Sequence, residues 1–370
     1  MSFSEKIFSI SSEAEFNAIA LDIFDFQMQH NPLYAQFVNG VRGTGYEVPG
    51  ERHGEATPHL APRISHPKHY TQIPCLPIEF FKSKKILIDS ADTDLYFASS
   101  GTTGVNTSKH FIADFNLYEK SFTKGFEYFF GNPEDYVILA LLPNYLEQQH
   151  SSLIYMMNEL IKQTKSPYSG FYLNNLSELN ATIQRINKEV KGQRSKVNGE
   201  NSSPLALNLS PFYPFTIILF GVSYALLDFA EQFPQTLENT LIFETGGMKG
   251  RREELSKTEL HRRLCEAFGV NQIYSEYGMT ELLSQAYSKG NNVFSCPPWM
   301  RVFTRPLNNP LGIENHAIAG GVNVMDLANY NSCPFIATQD LGQTFDDGTF
   351  EVLGRITGSD VRGCSMLIAN

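Results

Sequence analysis

Apolar residues recur at helical spacing near the start of the chain. Phe16, Ala20, Ile23 and Phe24 share one face, so residues 3–38 are expected to be mostly helical. The period then disappears. Residues 40–75 crowd Gly, Pro and His without alternation, which predicts a long irregular segment. Order returns at Leu76-Pro77-Ile78-Glu79-Phe80-Phe81-Lys82. Residues 95–99 read as a strand running into a glycine-threonine turn, and a helix is expected over about 115–128. Residues 137–142 form a continuous apolar run closed by Pro143, the mark of a core strand, and a helix is expected over about 151–165.

Strand-like and helix-like stretches keep alternating at 215–220, 224–232, 240–244 and 256–268. That order predicts a parallel or mixed sheet with helices on its faces. The apolar stretch 215–227 is too short for the ~20 residues that cross a bilayer and reads as a buried strand and helix start broken at Gly221. Residues 191–204 are polar and turn-rich, as in a surface loop or subdomain junction. From about 295 onward, short strands and turns suggest a small β subdomain.

Composition narrows the function. Hydrophobic residues make up 42% and charged residues 18%, which suits a chain with a sizeable core. The net charge of −10 argues against a nucleic-acid partner, because a backbone-binding face needs a basic excess. Five cysteines (75, 265, 296, 333 and 364) show no paired or zinc-ligand spacing, so a reducing cytoplasmic compartment is expected. The start of the chain lacks the basic and apolar regions of a signal peptide, and no membrane anchor is visible. Histidines 53, 59, 66 and 69 cluster in the irregular segment, but their spacings match no metal-ligand pattern.

Three motifs carry chemistry. Ser99, Ser100, Gly101, Thr102, Thr103 and Gly104, with Lys109 beyond them, supply glycines that let backbone N–H groups face an anion, hydroxyl donors and a positive charge. A Ser/Thr/Gly surface turn would read the same way, and the stretch is not a Walker loop. Tyr277-Gly278-Met279-Thr280-Glu281 offers an aromatic that could stack on a purine, a turn that brings backbone and hydroxyl to a phosphate, and a carboxylate for Mg²⁺. Thr338-Gln339-Asp340, with Gly354-Arg355 further on, offers a carboxylate for ribose hydroxyls and a second, positive contact.

In this order and spacing the motifs resemble those of the adenylate-forming superfamily. Gly246-Gly247-Met248-Lys249 resembles its adenine-side glycine pair, and Leu142-Pro143 to His150 falls where an acyl-pocket segment is expected. Within the superfamily the chain resembles the acyl-protein synthetase (LuxE) family. The likeness lies in residues 76–82, 142–147 and 246–255, in Tyr274-Ser275-Glu276-Tyr277-Gly278-Met279-Thr280-Glu281-Leu282-Leu283-Ser284-Gln285-Ala286-Tyr287, and in residues 354–367.

The resemblance implies an α/β adenylate-forming large domain over 1–354, with helix-flanked parallel or mixed sheets and a small β subdomain. Residues 355–370 would be a truncated hinge and tail without the usual C-terminal lid. It implies ATP, Mg²⁺ held at Glu281, and a carboxylic acid, expected to be a long-chain fatty acid. The acid would become acyl-AMP, pass to Cys364 as a thioester, and go on to an acyl reductase. Thr102, Lys109 and Glu281 would serve the chemistry beside Cys364. Ser99, Ser100, Gly101, Thr103, Gly104, Gly246, Gly247, Tyr277, Gly278, Thr280, Asp340 and Arg355 would bind the nucleotide. Lys109 or Lys249, or a partner subunit, would replace the lid lysine, and residues 212–224 are a candidate acyl lining. Two alternatives stand: a ligase using free coenzyme A, and a catalytically weak nucleotide-binding subunit of a reductase complex. Luminescence itself does not follow.

Overall fold

The apolar face at the start of the chain folds as three helices: α1 (Phe3–Ile7), α2 (Glu13–His30) and α3 (Pro32–Gly43). Ser2 and Ser12 cap the first two by accepting from the backbone N–H groups of Glu5 and Glu15. Phe16, Ala20, Ile23 and Phe24 are buried on α2 as their spacing predicts. The computed structural model describes residues 2–43, 66–99, 107–143, 150–199, 216–246, 252–253, 255–307, 309 and 311–356. The irregular stretch is therefore seen only from residue 66. There His66 contacts Asp25 at 2.6 Å and His69 contacts Thr71 at 2.8 Å.

Next come β1 (Leu76–Pro77), α4 (Phe80–Ser83) and a hairpin of β2 (Tyr96–Ala98) with β3 (Lys109–Phe111). Alternating helices and strands follow: α5 (Phe115–Phe130), β4 (Tyr136–Leu141), α6 (Ser152–Gln163), β5 (Gly170–Tyr172), α7 (Leu176–Gly199), β6 (Thr216–Val222), α8 (Ser223–Gln232), β7 (Thr240–Thr245), α9 (Lys257–Phe268) and β8 (Tyr274–Tyr277). The remaining strands are β9 (Ala286–Ser288), β10 (Val293–Ser295), β11 (Met300–Arg305), β12 (Gly320–Asp326), β13 (Phe335–Thr344) and β14 (Phe350–Arg355).

Apart from the separate β2–β3 pair, the strands form one mixed sheet in the order β11-β12-β13-β14-β10-β9-β8-β7-β6-β4-β5, with β1 paired to β13. Pairing is parallel from β5 to β8 and antiparallel from β8 to β11. The strands after residue 290 thus continue the central sheet. Strands β4 and β6 are almost wholly apolar because helices cover both faces of the parallel half. No helix among the described residues is long and apolar enough to cross a membrane.

Two expectations need correction. Residues 191–199 belong to α7 and are not a loop, since Lys191, Gln193, Arg194 and Lys196 are good helix formers even without an apolar period. Gly221 does not break the apolar stretch either. Strand β6 runs through it to Val222, and a Cβ at Gly221 would lie 2.9 Å from the Leu226 side chain, so its role is close helix–strand packing.

Candidate active site

Parallel strands end together, and their carboxyl edges are where ligands sit in open α/β sheets. Here β7 ends at Thr245-Gly246 and β8 at Tyr277-Gly278. Tyr277 packs edge-on against Phe294 and Phe350, and its hydroxyl donates to Asp340 Oδ2 at 2.8 Å. Asp340 stands opposite Arg355 in the β13–β14 ladder, with Arg355 Nε 3.6 Å from Oδ1. Burial raises the Asp340 carboxyl pKa against the lowering by Tyr277, Arg355 and Arg305. Beside it, Gln339 donates to Glu79 at 2.6 Å and so ties β13 to the segment leading into α4.

The described residues that flank the phosphate-loop motif, Ser99 and Ser108, lie beside the Tyr277–Glu281 motif, although they are far apart in sequence. Ser99 and Ser108 pin the base of the loop: Ser108 N–H donates to Ser99 Oγ at 3.0 Å, and Ser99 N–H to the Ser108 carbonyl at 3.1 Å. The Ser108 side chain lies beside the carboxyl of Glu281, which is 5% exposed, and favours its charged form. Burial raises that carboxyl, opposed by Ser108 and by the charges of Arg355 and Lys82. Next along β3, Lys109 turns the other way and lies over the Tyr96 ring at 4.7 Å, while His110 points inward.

His110 joins the loop side to the motif turn. Its Nδ1 donates to the Thr280 carbonyl at 2.8 Å, and Nε2 lies 3.0 Å from Asn329 Oδ1. Burial pushes the ring down to about 4 against these hydrogen bonds. Asn329 is itself fixed, because its amide nitrogen donates to the carbonyls of Glu281 and Cys333. Asp326 clamps the end of the turn, accepting from the backbone N–H groups of Leu283 and Ser284 at 2.7 and 2.8 Å.

Two more buried acids flank the strand ends. Glu244 on β7 bonds Lys257, Ser275 (2.6 Å) and Ser223 (3.0 Å), and Ser223 also donates to the Gly246 carbonyl at 2.9 Å. Burial opposes ionisation of Glu244, but Lys257, His261 and Ser275 more than reverse it and hold the carboxyl at about 2. Glu276 on β8 accepts from the Thr245 hydroxyl, and burial pushes it up to about 7 against that bond. A Cβ on Gly278 would fall 2.2 Å from Glu276 Oε1, so a larger residue there would displace that carboxyl. Tyr287, opposite Glu276 on β9, walls an apolar void with Phe126, Ile138, Met156, Phe220 and Phe243.

The structure thus brings together Ser99, Gly246, Tyr277, Gly278, Thr280, Glu281, Asp340 and Arg355. Ser100, Gly101, Thr102, Thr103, Gly104, Gly247, Lys249, Cys364 and residues 212–215 lie outside the described residues, while the rest of the candidate acyl lining, 216–224, forms β6 and the start of α8. Cys75 and Cys333 are buried, and burial pushes the Cys75 thiol up to about 12, which suits packing and not a thiolate nucleophile. Sequence reasoning missed Ser108, His110, Glu276, Asp326 and Asn329. Glu276 carried a signal, since it immediately precedes the Tyr-Gly motif. Asp326 and Asn329 carried none.

The chain is similar in structure to a 2-hydroxyisobutyryl-CoA ligase in an open conformation, in complex with 2-HIB-AMP and CoA (TM-score 0.59, 13% identity, covering 95% of this chain and 72% of that one). It is also similar to the ATP-bound RpMatB-BxBclM chimera B1 (TM-score 0.50, 16% identity, 72% and 49%). A third likeness is to ATP-bound MatB from Rhodopseudomonas palustris (TM-score 0.49, 16% identity, 72% and 49%). The chain spans about half the length of the latter two. No curated protein matches it. At these identities the likeness shows the adenylate-forming fold. The family model for acyl-protein synthetase, LuxE, matches residues 66–370, so the chain belongs to the acyl-protein synthetase (LuxE) family.

Proposed function

We propose that this protein uses ATP to activate a carboxylic acid, in the favoured case a long-chain fatty acid, as acyl-AMP with release of pyrophosphate. The acyl group then passes to Cys364 as a thioester and on to an acyl reductase. The observation that carries the reading is the convergence of Ser99–Ser108, Thr280–Glu281 and Tyr277–Asp340–Arg355 at the carboxyl ends of β7 and β8. A carboxylate is a poor electrophile because its leaving group is oxide, and adenylation supplies a better one.

The residues divide the work by chemistry. Asp340 presents carboxylate oxygens to the ribose hydroxyls, held in place by Tyr277. The Ser/Thr/Gly loop between Ser99 and Ser108 offers N–H and hydroxyl donors to the phosphates. Glu281 fits Mg²⁺ in the usual nucleotide mode, one carboxylate with phosphates and water completing the shell. Among the described residues no group of three or more His, Cys, Asp or Glu is placed to hold a metal ion by itself. The metal would neutralise phosphate charge.

The test is ATP–pyrophosphate exchange with a panel of fatty acids, followed by mass spectrometry to locate the acyl group. Exchange with at least one acid and acylation at Cys364 are expected. No exchange with any acid would sink the activation step. Acyl-CoA formation that survives Cys364→Ser would favour coenzyme A as acceptor.

A further inference from the structure

Glu276 is the ionisable group at the strand ends that adenylation leaves without a task. Side chains alternate along a strand, so Glu276 faces away from Tyr277 and Asp340, towards α5, where Tyr118 and Tyr287 both feel its charge. It is 7% exposed. Oε2 takes the Thr245 hydroxyl, and Oε1 lies against the backbone of Gly278, where no Cβ intervenes. Its cross-strand neighbour Tyr287 walls the apolar void. The carboxyl therefore stands at the turns that end β7 and β8, against Thr245 and Gly278, where the activation reading seats the acyl-adenylate.

A buried carboxylate with one hydroxyl partner is costly, and such groups at a cleft edge mark functional sites. We propose that Glu276 is the general base that takes the proton from the thiol receiving the acyl group. This rests on the activation reading above and extends it to the second half-reaction. A carboxylate oxygen of Glu276 accepts the S–H proton as the sulfur electron pair forms the C–S bond at the acyl carbonyl carbon. The bond from that carbon to the phosphate oxygen breaks, and AMP leaves with its electron pair. Glu276 then returns the proton to solvent. Burial raises the carboxyl to about 7, close enough to an ordinary thiol at ~8.5 for efficient transfer near neutral pH.

The experiment compares Glu276→Gln, Glu276→Asp and the unaltered chain with tetradecanoic acid and ATP, reading the two half-reactions separately. Pyrophosphate exchange reports adenylate formation, and hydroxylamine, an amine that attacks without a base, reports the adenylate's reactivity. Thioester formation, on the chain and on added coenzyme A, reports thiol attack. In Glu276→Gln, thioester formation should fall at least ~100-fold relative to exchange and hydroxamate formation, and its pH profile should lose the rise near 7. Glu276→Asp, with a shorter reach, should fall between, and it carries the test if the glutamine variant does not fold. Thioester formation that keeps pace with exchange, whether both are intact or both reduced, overturns the assignment. An unaltered chain that exchanges with no acid overturns the activation reading instead.

Discussion

Glu244 and Glu276 are buried carboxyls on neighbouring strands, and they titrate at opposite extremes. Glu244 pairs in register with Ser275, so Glu276, one residue on, faces the other side of the sheet. On its side Glu244 meets Lys257, His261, Ser275 and Ser223, and it is held at about 2. On the other side Glu276 has the Thr245 hydroxyl, and burial, helped by the charge of Glu244 and opposed by Thr245 and Lys257, raises it to about 7. Burial is common to both, so partners decide the outcome. The first acid builds the platform under Gly246; the second keeps a proton within reach of neutral pH.

The largest effect should come from stranding the first acid. Lys257→Met leaves a fully buried carboxylate without its cation, and breaking such a pair costs about 3–5 kcal/mol. Urea unfolding at pH 7 checks this. A loss below about 1 kcal/mol would mean that Ser275, Ser223 and His261 satisfy Glu244 unaided.

The pH dependence of stability separates the two acids by sign. The Glu244 pKa is depressed from 4.5, so its contribution is present above about 4.5 and is lost as pH falls towards about 2. The Glu276 pKa is raised from 4.5, so the folded state binds the extra proton and stability declines as pH climbs from about 4.5 to about 7. Each arm is worth about 3 kcal/mol, from roughly 1.4 kcal/mol per unit. Glu276→Gln should flatten the neutral arm and leave the acid arm, whereas Glu244→Gln should remove the acid arm and shrink the neutral one, since the Glu244 charge helps to raise Glu276. Unfolding free energies from pH 3 to 8 test both. A neutral arm that survives Glu276→Gln would assign it to another group.

Thr245→Val removes the hydroxyl that partners Glu276 and nearly preserves shape. It should cost about 1–3 kcal/mol at pH 8, where the carboxylate is ionised, and much less at pH 5, where it is protonated. Equal losses at the two pH values would show that Thr245 acts through packing.

Much of this was legible in the chain. Alternating apolar runs gave the parallel half of the sheet, because a doubly covered strand must be apolar throughout, as 137–142 and 216–222 are. The candidate motifs were visible because the phosphate and ribose contacts proposed for them would call for particular side chains on glycine turns. The clamps were not. Asp326, Asn329 and His110 act from β12, the turn after it and β3, and only the folded sheet brings them to the 280–284 turn. Nor could spacing tell Glu244 from Glu276, since the difference lies in which helix covers which face. Helix α7 was hidden for another reason: its C-terminal part is polar, and the pattern carries no apolar stripe there.

The smallest effect sharpens the comparison at the same strand end. Tyr277 neighbours Glu276 but faces the other way, and its hydroxyl holds Asp340 Oδ2. Tyr277→Phe keeps the ring between Phe294 and Phe350 and removes that one bond. Stability should fall by about 1 kcal/mol, the net worth of a typical hydrogen bond. Arg355 is 82% exposed, and so mobile a partner cannot hold the carboxylate in its place. Asp340 then loses a group that favours its charged form, its pKa rises further, and the KM for ATP should increase several-fold with thiol transfer from preformed adenylate unchanged. That pattern is the mirror of Glu276→Gln, which spares exchange and slows transfer. Should Tyr277→Phe slow transfer as much as it weakens ATP, the two faces of β8 would not divide nucleotide binding from thiol chemistry.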